Sequence, residues 1–163
     1  MLRAAGLLLF VLLVIQINLG AHMSYLIDKF GARIFKYHMT LGKVIYGLAF
    51  IHPLLAVLSG VRLLPSWAPG EFYYNFGRMA FVLINLAVLA ALFRTTPFLS
   101  KFWHKIHILN YAVFYFVAIH SWGVGTDTRI FPFVIIYWLG VITVTATVVG
   151  KFYKLLSSSK VSA

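Results

Sequence analysis

The sequence predicts an all-α integral membrane protein, a bundle of about five transmembrane helices. Three observations predict it. Of the 163 residues, 62% are hydrophobic, and the mean hydropathy is +0.93. Only 10% are charged, against roughly a quarter in soluble domains. The apolar residues are gathered into five runs, separated by proline, glycine and basic residues.

The runs cover residues 4–21, 37–61, 72–93, 106–124 and 130–150. A helix rising 1.5 Å per residue needs roughly 20 residues to cross ~30 Å of hydrocarbon. Each run comes close to that length, the fourth only just. Helix breakers lie between them: Pro65, Pro69 and Gly70, then Thr95, Thr96 and Pro97, then Gly123, Gly125 and Pro132. The length suffices for one bundle, whereas a nucleotide-binding domain would need on the order of 100 further residues. There is no cysteine, which excludes disulfides, thiolate-ligated iron–sulfur clusters and thioether-attached haem.

The net charge of +11 comes from 14 basic and 3 acidic residues. In a soluble chain this would suggest nucleic acid. Here the cations sit between apolar runs and report topology, so a lipid bilayer and no nucleic acid is expected as partner. If all five runs cross, Lys29, Arg33, Lys36, Arg94, Lys101, Lys105, Lys151, Lys154 and Lys160 share one side. Arg3, Arg62, Arg78 and Arg129 share the other. The positive-inside rule then puts the N-terminus outside and the C-terminus in the cytosol, as a multi-pass protein of the cell membrane. The first run also loosely fits a cleaved signal peptide, with Arg3 ahead of it and Leu19-Gly20-Ala21 at its end. The charge balance favours a span.

Four of the six histidines form a pattern. His38 and His52 lie in the second run, 14 positions apart, and His107 and His120 lie in the fourth, 13 apart. On helices these spacings rise ~21 Å and ~20 Å. The second and fourth runs point the same way across the bilayer, so His38 shares a level with His107, and His52 with His120. A haem iron takes one axial imidazole on each face. Two such pairs fit two haems stacked across the hydrocarbon. A single intramembrane histidine is often only a hydrogen-bonded helix contact, but two pairs at matching depths are harder to explain by packing. A different class stays open, a transporter or scaffold whose histidines carry protons or a metal such as zinc. His104, three positions before His107, competes as the ligand nearer the cytosol, and His22 falls at a helix end.

One point does not close. At 100° per residue, 14 positions return to within about 40° of the same face, but 13 end about 140° away. His107 and His120 cannot both face one line from an ideal helix, so a tilt or a local 3₁₀ or π turn is required. Gly42 and Gly47 would leave room for a flat ring. Pro53 permits a kink, and Phe114 lies midway between the two histidine levels. Lys43, Lys105 and Arg78 are candidate partners for haem propionates.

The segment His38-Met39-Thr40-Leu41-Gly42 followed by His52-Pro53 resembles the third helix of the ferric reductase and NADPH oxidase superfamily. Trp103-His104-Lys105-Ile106-His107 followed by Ile119-His120 is similar to its fifth helix. The resemblance implies a haem-binding domain over residues 1–155, with a flexible tail over 156–163. It implies His38 and His107 on an inner haem, His52 and His120 on an outer one, and electrons passing from the cytosol to ferric iron or dioxygen on the far side. The family commonly has six spans and carries a cytosolic domain for FAD and a nicotinamide cofactor. Neither the sixth span nor that domain is visible here, so a separate cytosolic flavoprotein or another donor is the expected partner of an electron-transfer subunit. The oligomeric state is left open.

Overall fold

The computed structural model describes residues 2–161, apart from the side chains of residues 155 and 158–161. The helices among them are α1 (Leu2–Ala21), α2 (Met23–Phe30), α3 (Arg33–Leu58), α4 (Phe72–Leu92), α5 (Trp103–His107), α6 (Leu109–Val124) and α7 (Phe133–Val161). Single 3₁₀ turns occupy Leu99–Lys101 and Asp127–Arg129, and no described residue is in a strand.

The architecture is all-α and of membrane type. α1, α3, α4 and the Phe133–Lys154 part of α7 are long and apolar enough to cross a bilayer. The fifth expected span is shorter than its apolar run. α6 has 16 residues, ~24 Å of helix, because the chain breaks at Ile108 between α5 and α6. Two further differences come from polar signals that hydropathy alone does not read. The loop expected after the first run folds as α2, set off from α3 by Gly31 at φ 84°, a backbone conformation that glycine adopts without strain. The tail expected from residue 156 is instead a continuation of α7 as far as Val161; residues 162–163 lie outside the described residues.

The accessible surface is 10800 Å², against roughly 8200 Å² for a soluble globular chain of this mass. Much of the excess is apolar. Leu8, Ile15, Val44, Leu54, Val82, Leu86 and Ile142 all stand exposed on helix surfaces. Such positions would be costly in water but cost nothing against lipid tails.

α1 is the hub. It packs on α3, α6 and α7, while α4 packs chiefly on α6. Its buried stripe is Phe10, Leu13 and Ile17, and with Gly6 and Gly20 the spacing alternates four and three, the seam of a left-handed helix pair. α3 carries the matching stripe of His38, Gly42, Ile45, Ala49 and His52, of which Ile45 and Ala49 are buried. The two helices run antiparallel in one register. Gly6 meets His52, Gln16 meets Gly42 and Gly20 meets His38, so Leu13 faces Ile45. Phe10 continues the core toward α6 and α7, with ring centroids 5.7 Å from Phe114 and 5.3 Å from Tyr137.

α3 touches α4 at few points. One direct link is Tyr46, whose hydroxyl donates to Asn85 Oδ1 at 2.7 Å. His38 and His52 of α3 lie at the edge of the seam with α1, and His52 reaches across to His120 of α6. The two ends of the bundle separate as the charge pattern implies. Arg3 at the start of α1 lies 3.9 Å from Asp127 in the turn before α7, at the end that also holds the 59–71 connection. α2, the 93–102 connection and the end of α7 lie at the other.

Candidate functional site

His52 of α3 and His120 of α6 face one another. Their ring centroids are 6.3 Å apart and their planes are inclined at 81°. Two imidazoles bound through nitrogens ~2 Å either side of one metal would have centres about 6 Å apart. His38 and His107 form the second level, within electrostatic reach of each other. All four rings are half-buried.

Two of the four rings are held from behind. His120 Nδ1 lies 3.0 Å from the Tyr73 carbonyl of α4, and His107 Nδ1 lies 3.3 Å from the Ala87 carbonyl of the same helix. Although the Asn110 side-chain nitrogen also lies 3.2 Å from His107 Nδ1, a proton on Nδ1 donated to those carbonyls would leave Nε2 as the free nitrogen on both rings. That is the usual state of a metal-ligating histidine. Tyr73 and Ala87 are 14 positions apart, so α4 supplies two acceptors at the same two depths. On the α3 side, His38 Nδ1 and His52 Nδ1 are buried without a hydrogen-bond partner. His52 lies by the Leu2 backbone without forming a well-shaped bond to it.

Three glycines give the rings room. A Cβ at Gly6 would lie 3.0 Å from His52 Cε1, one at Gly20 would lie 2.9 Å from His38 Cε1, and one at Gly77 would lie 2.8 Å from His120. These contacts are tighter than carbon atoms normally allow, so a larger residue would push each imidazole off its seat. Gly123 leaves no space for a Cβ against the ring of Tyr73, the residue that accepts from His120.

The angular mismatch along the fourth run is resolved by the break at Ile108. His107 sits on α5 and His120 on α6, and the Tyr111 amide bonds to the Ile108 carbonyl three residues back. A 3₁₀ step turns about 20° more per residue than an α step, which brings the two histidines toward one face. The Asn110 amide donates to the His107 carbonyl at 2.8 Å and satisfies a group that the break leaves open.

Gly42 makes room for the Gln16 amide, and a Cβ at Gly47 would meet nothing within 4 Å. Phe114 is fully buried in the core against Phe10. α3 runs through Pro53 as one helix. His104 is exposed and stacks on Trp103 at 3.6 Å, which leaves His107 as the ring bonded into α4. His22 is exposed and bonded to the Asn18 carbonyl. Lys43 and Lys105 are exposed and so lie free for an anionic partner. Arg78 is not free in that sense. Its guanidinium bonds Glu71 at 2.7 Å, Asn75 Oδ1 at 2.6 Å and the Arg62 carbonyl at 2.6 Å, tying the 62–71 connection to α4. Sequence reasoning missed Gly6, Gly20, Gly77, Gln16 and the two α4 carbonyls. Only Gly6 and Gly20 carried a signal, the same 14-residue interval as His38 and His52.

The donor set fits haem better than a bare ion. Among the described residues no three His, Cys, Asp or Glu side chains converge on one point, whereas protein zinc sites use three or four ligands. Paired imidazoles suit an iron whose other four ligands come from a macrocycle. Comparison with protein-family models, with curated proteins and with solved structures finds no match to this chain.

Proposed function

We propose that the chain is a di-haem b-type membrane cytochrome that relays electrons from a cytosolic donor, a flavoprotein, to an acceptor on the opposite side of the membrane, as a ferric reductase-like electron-transfer subunit. The observation that carries this reading is the His52–His120 pair, two facing rings 6.3 Å apart, matched by His38 and His107 at the second depth. His38 and His107 would hold the inner haem, and His52 and His120 the outer. Bound there, the haems supply two one-electron carriers stacked across a layer that otherwise blocks charge. The α4 carbonyls of Tyr73 and Ala87 would favour a proton on Nδ1 of His120 and His107, leaving their Nε2 atoms for the metal. Held by His38 with His107 and by His52 with His120, the two haems would carry electrons rather than bind substrate at the metal. The basic end of the bundle faces the cytosol by the positive-inside rule and attracts an acidic donor there.

Sealed vesicles test the relay, with a reductant on the basic side and an impermeant acceptor on the other. His38→Ala and His52→Ala should each abolish transmembrane flux. With His52→Ala the inner haem should still be reduced from the basic side. Near-normal flux in either variant would show that the two haems are not in series.

A further inference from the structure

Gln16 stands out from the apolar stripe of α1. Its Nε2 donates to the His38 carbonyl at 2.9 Å and lies 3.4 Å from His38 Nε2. Its Oε1 is buried without a partner, and so is His38 Nδ1, the ring nitrogen the amide does not contact. A side-chain amide within a membrane span is costly unless both ends are used. This amide uses one end on the ligand-bearing residue and leaves the other unmet. Gly42 keeps the place clear, since a Cβ there would come within 2.9 Å of Gln16 Nε2. The α1–α3 register repeats after 14 residues, but the amide does not. The equivalent neighbour at the other level is Leu2, and only its backbone approaches His52.

We infer that Gln16 is a positioning residue that makes the two haem levels unequal, its N–H dipole polarising His38 and raising the reduction potential of the inner haem alone. This rests on the di-haem reading above. The sign follows from electrostatics. The positive end of an N–H dipole lies beside the imidazole, where it favours the more electron-rich, reduced state. In a low-dielectric span such a dipole acts strongly, and hydrogen bonding around ligands is one of the levers that set haem potentials.

The test is a redox titration of the purified holoprotein, with the inner transition identified as the one lost in His38→Ala. Gln16→Met keeps the side-chain length and removes the donor. Gly42→Ala keeps Gln16 and displaces its amide, with a residue that favours helix. Both variants should shift the inner midpoint downward, by roughly tenfold in the reduction equilibrium or about 59 mV for one electron, and leave the outer midpoint in place. If Gln16→Met sheds the inner haem, Gly42→Ala decides. An unmoved inner midpoint with both haems bound, or an equal shift of both, overturns the inference and leaves the di-haem reading intact. A wild-type protein without haem overturns both.

Discussion

At the scale of the residue, the candidate site is four imidazoles, two bonded to carbonyls of α4 and two seated against glycines of α1. His107 is bonded to Ala87 of α4, whereas His104 is turned out onto Trp103. His107→Ala should therefore halve the haem bound per chain, and His104→Ala should leave it unchanged. Pigment analysis of the purified variants checks this, and the reverse pattern would reassign the ligand. Gly20→Val would drive a branched side chain into His38 and should remove the inner haem while sparing the outer one. The four histidines were legible in the sequence because their chemistry and spacing are local. Gly6, Gly20 and Gln16 were not, although the 14-residue interval was there to see. Their role depends on α1 lying antiparallel on α3 in one particular register, which no single run encodes. Gly42 makes room for an amide from α1, a contact its own run could not reveal.

At the scale of the element, the break at Ile108 does what an unbroken helix cannot. It separates His107 from His120 by a turn that corrects their phase, at the cost of shortening α6 to 16 residues. Asn110 closes the break by bonding the His107 carbonyl. Asn110→Leu removes that bond and should destabilise the fold by about 1 kcal/mol. It should also shift the absorption band of one haem, because His107 is then less well held. A thermal melt in detergent and an optical spectrum measure the two effects. The need for some irregularity here could be read from the 13-residue spacing, but its place could not. The hydrophobic run passes through Ile108 without a proline or glycine to mark it. Arg78 shows the opposite limit. Its positive charge at the right depth suggested a propionate partner, yet three protein oxygens hold it. Arg78→Met should free the 62–71 connection and make it sensitive to added protease, in a protein that still binds two haems.

At the scale of the whole molecule, the sequence could be read for class because a bilayer imposes length and polarity on every span. Four long apolar helices and a shorter fifth follow from that constraint. α2 and the extension of α7 did not, since both carry polar residues at the bundle end, where hydropathy is silent. The charge asymmetry predicts that a reporter fused at Ala163 is active only if it is of the cytosolic type. An active exported reporter at that position would reverse the inner and outer labels of the haems. The central claim is simpler than any of these and is tested by colour. The purified protein, reduced with dithionite, should give the sharp bands of low-spin b-type haem at two haems per chain, falling to one in His52→Ala. A colourless protein, or one whose haem content is unaffected when His52 and His120 are both replaced, would contradict it.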